Sequence, residues 1–177
     1  KVILRGIFQK ADSLNQNARL YPRAILEREI NNYQKFISER RSMGQLDHPE
    51  TSIVELERVS HIVTEAFMDE AGVVRGTIEL LDTPKGQIAK QLVEAGITLG
   101  ISSRGVGSTK KQGDVDVVLD DFSLVCFDLV SEPSTSNAFM LREGREVSRE
   151  ELQKTFTRDD RIYRAANDFV QWMKGSG

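Results

Sequence analysis

Residues 53–68 and 73–81 are rich in β-branched and apolar side chains, and only Asp69-Glu70-Ala71-Gly72, a cluster of turn formers, separates them. Runs this close pair as an antiparallel hairpin, because a parallel pairing needs a crossover of a dozen or more residues. Residues 2–8 form another strand-like run, and 97–103 and 115–130 return to that character. Two helices are inserted between them. Pro22 opens the first, where Leu26, Ile30, Tyr33 and Ile37 recur at helical spacing up to about residues 41–44. Thr83 caps the second, with Pro84 in its first turn, Ile88, Leu92 and Val93 as its buried side and Gly96 as its stop. Strands joined by hairpins, with helices inserted rather than alternating regularly, predict an α+β fold: a small antiparallel β-barrel flanked by helices.

Residues 13–19 and 105–113 read as polar loops. After Pro133 the composition turns polar, and Ser148 with Glu151 forms a capping box for a terminal helix whose apolar side runs from Leu152 through Phe156 and Tyr163 to Met173. The expected organisation is a core domain over 1–143, a C-terminal helical segment over 144–174 packed on that domain or on a partner, and a tail over 175–177. The chain opens at Lys1 and not at methionine, so native ends are expected to be missing.

A net charge of -3 from nearly balanced acids and bases gives no basic surplus for nucleic acid, so proteins are the expected partners. No apolar run approaches the roughly 20 residues of a membrane span. Cys126 is the sole cysteine, which excludes an internal disulfide and fits a cytosolic compartment. Histidines, cysteine and carboxylates show no zinc-like spacing, and the glycines around Gly105 and Gly107 lack the lysine-serine of a phosphate loop. No metal and no cofactor are expected.

The reactive residues are few. His61 lies inside a strand-like run and reads as a half-buried strand histidine. His48 precedes Pro49, which disfavours helical backbone at the histidine and stiffens it. Taken alone, it also fits an ordinary turn. In the run from Ile97 to Gly105, strand alternation places Ile97, Leu99, Ile101 and Ser103 on one face, and Thr98, Gly100 and Ser102 on the other. Ser103 thus continues an apolar face, as a strand end or as a nucleophile beside a low-dielectric core. Gly105 permits close approach of a substrate backbone.

Four segments in order, from Leu14 to Pro22, from Gly44 to Pro49, from Gly100 to Gly105 and from Asp128 to Ser134, resemble the prohead proteases of tailed phages. The likeness is to the T4-type branch, related to the herpesvirus assemblins, and covers about residues 14–137. It implies an assemblin-like barrel and a serine endopeptidase that cleaves scaffold or core proteins and the major capsid protein inside the prohead, in the host cytoplasm. It also implies a homodimer. The family's histidine and serine carry over to His48 and to Ser102 or Ser103. The Ser-x-Gly spacing of assemblins fits Ser103 and leaves Ser102 as the alternative nucleophile.

A serine nucleophile needs a base, and the base needs an acceptor on its second nitrogen. Asp47 is adjacent to His48 but points away from it in extended backbone. Asp128, at the end of an apolar strand, is the expected orienter, with Asp120 and Asp121 as alternatives. Amides near Arg104 and Gly105, with the Arg104 guanidinium, are expected to hold the oxyanion. The T4-type preference for cutting after glutamate calls for a cation, Arg104 or the Lys110-Lys111 pair, and marks Glu143-Gly144 as a self-cleavage site in a linker. The competing reading is an inactive assemblin-fold module that binds scaffold during capsid assembly.

Overall fold

A computed structural model describes residues 1–143. The expected C-terminal helix, its capping box and Gly144 lie outside the described residues.

The polypeptide is α+β. The main sheet is five-stranded and antiparallel, in the order β10 (Met140–Arg142), β1 (Val2–Lys10), β5 (Val73–Leu80), β4 (Val59–Met68) and β3 (Met43–Gln45). A second ribbon pairs β6 (Gly100–Val106) with β9 (Ser123–Val130). A third, smaller sheet joins β2 (Arg19–Leu20), β8 (Val115–Val118) and β7 (Thr109–Gln112), with β2 parallel to β8. Among the described residues the strands do not form the expected closed barrel. Single bridges link the ribbon to the two edges of the main sheet, Leu46 to Leu129 just after β3 and Gly100 to Phe139 just before β10, in place of continuous ladders.

The β4–β5 hairpin forms as the sequence predicts: Asp69 accepts the amides of Ala71 and Val73 through Oδ1 and closes the turn. β4 begins only at Val59, after one helical turn at Leu56–Arg58, so residues 53–55 are not strand. Part of the loop expected over 105–113 is instead β7, hydrogen-bonded to β8.

Helix α1 (Arg23–Ser38) follows Pro22 and buries Leu26, Ile30 and Tyr33. It stops earlier than expected, so that Met43–Gln45 can join the sheet. Helix α2 (Pro84–Glu94) is capped by Thr83, whose hydroxyl accepts the Gly86 amide. Its buried side is Gly86 and Ala89, not Ile88, which is exposed. The helix lies so close to β4 and to its own lead-in turn that only small residues fit: a Cβ on Gly86 would stand 2.9 Å from the Ser60 carbonyl oxygen and 1.9 Å from that of Leu81.

The core lies between α1 and the inner faces of the sheets. Phe127 from β9 packs on Phe8 of β1 at 4.8 Å and on Tyr33 of α1 at 5.4 Å between ring centres. Burying such a ring contributes roughly 1.5–3 kcal/mol, and here it fixes the height of β9 against β1. Gly44 fixes β3 against β9 equally closely, since a Cβ there would lie 2.0 Å from the Phe127 carbonyl oxygen and 2.2 Å from His61 Nε2. Consequently the segment after β3 emerges beside Asp128. Among the described residues, no helix is long and apolar enough to cross a membrane.

Candidate active site

His48 leaves β3 over the β6–β9 ribbon, and its Nδ1 lies 2.7 Å from Asp128 Oδ2. A carboxylate only accepts, so Nδ1 carries the proton in the neutral ring and Nε2 presents its lone pair. The imidazole is partly exposed, whereas Asp128 is fully buried. Burial by itself would raise the Asp128 pKa. Hydrogen bonds from His48, from Arg104 and from the Gln45 amide, with the charge of Arg104, outweigh it and hold the carboxyl below the ordinary value. Asp128 is therefore a buried anion kept charged by its donors.

The register decides which serine shares this environment. Ser102 is the cross-strand partner of Asp128, and Ser103 that of Phe127. Directly opposed residues in an antiparallel pair point to the same side. Ser102, Arg104 and Asp128 thus project together toward His48, while Ser103 projects with Phe127 toward β1, where Gln9 Nε2 donates to its Oγ at 3.0 Å. The alternation expected from the sequence holds, but it sets Ser103 on the face opposite its expected orienter. Ser102 Oγ lies 3.0 Å from Ser134 Oγ, and neither serine is hydrogen-bonded to His48. Both line a cleft of about 870 Å³ with His48, Arg19, Gly105 and Ser134.

Asp47 takes a left-handed backbone with φ of 67° and donates its amide to the Leu129 carbonyl, so the extended conformation expected around it does not form. Asp121 accepts the Ser108 amide and hydroxyl, so its carboxylate is engaged elsewhere, and neither Asp120 nor Asp121 lines the cleft that holds His48. His61 is fully buried, receives the Ser60 hydroxyl at Nδ1 and donates from Nε2 to the Phe127 carbonyl at 2.8 Å. Burial pushes its pKa down to about 4, against weaker upward pulls from that carbonyl and from Asp128. It is a neutral core histidine, more buried than the sequence implied.

The expectations for the Arg104 side chain and for the Lys110-Lys111 pair need correction. Arg104 is buried and every N–H of its guanidinium is engaged within the protein, so the side chain has no donor left for an oxyanion. Gly105 does line the cleft, yet the absent side chain also serves packing, since a Cβ would meet the Phe122 ring at 2.5 Å. Lys110 and Lys111 lie on β7 and do not line the cleft, whereas Arg19 does. Sequence reasoning missed Arg19 and Gln45. Arg19 stood in a stretch that read as plain loop, and Gln45 becomes meaningful only once β3 and β9 are adjacent.

Residues 1–150 match the family described as the prohead core protein serine protease. The chain is 29% identical over 167 residues to the prohead core protein protease of Enterobacteria phage T4, spanning 92% of this chain and 77% of that protein. It is also similar to the solved structure of the bacteriophage T4 capsid assembly protease, with a TM-score of 0.69 and 27% identity over 74% of this chain and 82% of that one. With a family match that spans all the described residues, the chain belongs to the prohead core protein serine proteases.

Proposed function

We propose that the protein is a serine endopeptidase that cleaves scaffold or core proteins and the major capsid protein inside the phage prohead, in the host cytoplasm, with Ser102 as nucleophile, His48 as base and Asp128 as orienter. The carrying observation is the buried Asp128 carboxylate, bonded to His48 Nδ1 and opposite Ser102 in the ladder. That arrangement supports Ser102 over Ser103.

In the reaction His48 Nε2 takes the Ser102 proton as Oγ attacks the scissile carbonyl, and later returns a proton to the leaving amine. Asp128 holds the tautomer and stabilises the imidazolium. Backbone amides near Arg104 and Gly105 are the proposed oxyanion donors. The catalytic unit lies within residues 1–143, with the 144–174 segment an appended element, and the proposed assembly is a homodimer.

Cleavage after glutamate needs a cation in the cleft. Arg104 is committed to Asp128, which leaves Arg19 as the proposed reader of the carboxylate. Self-cleavage between Glu143 and Gly144 carries a condition that the linker expectation lacked. Met140–Arg142 is an edge strand on β1, and Glu143 pairs with Arg5 at 2.8 Å and donates its amide to Ile3. The segment must peel from the sheet before it enters a cleft, so the cut is slow in cis.

The test is cleavage of a purified scaffold protein by Ser102→Ala, Ser103→Ala and the parent. Loss of activity only in Ser102→Ala is expected. Retained cleavage by Ser102→Ala removes the assignment, and a parent inert on every scaffold and capsid substrate favours an inactive binding module.

A further inference from the structure

The segment that carries His48, residues 46–55, contains no helix and no strand of its own. Ile53 is 69% exposed, and beyond Leu46, which packs partly against the core at the segment's start, apolar burial contributes little to holding the segment down. At its entrance the Asp47 amide reaches the Leu129 carbonyl, and at its exit the Glu55 amide reaches Gln45 Oε1 at 2.8 Å. Between these points the segment is hydrogen-bonded to the protein body through His48, on Asp128, and through the Thr51 and Ile53 carbonyls, both of which Arg104 holds.

A guanidinium has five N–H donors in a fixed planar fork, and Arg104 uses all of them. Nε donates to Asp128 Oδ2 at 2.9 Å and Nη2 to Asp128 Oδ1 at 3.3 Å. Nη2 also donates to Gln45 Oε1 at 3.0 Å, and Nη1 donates to the carbonyls of Thr51 at 2.7 Å and Ile53 at 2.9 Å. One buried side chain thus ties the orienting carboxylate, the end of β3 and the far limb of the His48 segment together.

We propose that Arg104 is a positioning residue that clamps residues 46–55 onto Asp128 and so sets the His48–Asp128 contact. The clamp rests on the catalytic reading above only for its consequence in turnover. Its geometry stands without it. Lysine is a poor substitute, because a single ammonium with three donors cannot reach five acceptors in one plane.

The experiment uses the full chain and compares Arg104→Lys, Arg104→Met and Asp128→Asn with the parent. Three quantities are read: the downfield NMR signal of the His48 Nδ1 proton, amide hydrogen exchange across 46–55 relative to β4, and kcat and KM on a glutamate-containing peptide. Both arginine variants should lose the proton signal and exchange 46–55 faster with β4 unchanged. They should also lose about a hundredfold in kcat, the scale of a misplaced catalytic group, with KM little altered. Adding Arg104→Met to Asp128→Asn should cost nothing beyond Asp128→Asn alone, since both act through one contact. A retained proton signal and retained protection in Arg104→Lys overturn the clamp, as does a multiplicative loss in the double variant. Should Arg104→Met not fold, Arg104→Lys together with Gln45→Ala gives the same readings from the other side of the fork. If Ser102→Ala cuts as fast as the parent, the catalytic reading fails while the NMR and exchange arms still decide the clamp.

Discussion

The two faces of the β6–β9 ribbon are built by different means. One carries Ser102, Arg104 and Asp128 under His48, and its geometry is set by hydrogen bonds around a buried anion. The other carries Ile101, Phe127 and Leu129 against the core, with half-buried Ser103 where it meets the cleft, and its geometry is set by shape. Polar order of the first kind is directional and fails when one partner is removed, whereas apolar packing loses stability in proportion to the cavity left. Changes on the two faces should therefore separate chemistry from folding.

The largest effect belongs to the polar face. His48→Ala should lower kcat by up to about a million-fold, as for members of an interdependent triad, with an unchanged melting temperature. A large drop in melting temperature would show that the imidazole is structural. Asp128→Asn should cost less, on the order of ten-thousand-fold, because a misoriented imidazole still works part of the time. On the apolar face, Phe127→Ala should destabilise the fold by about 3–5 kcal/mol, while the folded fraction, titrated by urea melts and active-site counting, keeps most of its turnover.

The next effect concerns acid. His61 folds neutral with a pKa near 4 against an ordinary value of 6.5. Between those values the unfolded chain takes up a proton that the folded one does not, so stability falls as pH drops from about 6.5 to about 4. The loss amounts to about 3 kcal/mol, and His61→Gln should flatten that part of the stability curve. A curve of the same slope in the variant would assign the acid sensitivity elsewhere. Smaller still, Ser103→Ala should cost about 1 kcal/mol or less for its bond from Gln9, with kcat within about tenfold of the parent. Arg19→Gln should leave the cut after glutamine unchanged and slow the cut after glutamate, narrowing the ratio between the two peptides.

What was legible in the sequence follows the range of the forces involved. The β4–β5 hairpin, the Thr83 cap and the alternation along β6 are local, and each forms in the structure. His48 and Asp128 were recognisable one at a time, His48 from its proline neighbour and Asp128 from a charge at the end of an apolar strand, and the fold brings them together. The choice of serine was not legible, because alternation says which residues share a face but not which face meets Asp128. Only the β6–β9 register supplies that. The role of Arg104 was misread for the same reason: its guanidinium reads as free to meet an oxyanion or a substrate carboxylate until β3, β9 and the 46–55 segment converge on it. The exposed Ile88 on α2 reflects a helix packed through Gly86 and Ala89, a contact that hydrophobic periodicity does not register.

The central claim is that Ser102 is the nucleophile on the polar face. A peptide phosphonate ending in glutamate is attacked by the activated serine and leaves a stable adduct whose position fragmentation mass spectrometry locates. The account predicts the adduct on Ser102, formed at a rate that collapses in His48→Ala. An adduct on Ser103, or one on Ser102 formed equally fast without His48, would contradict it.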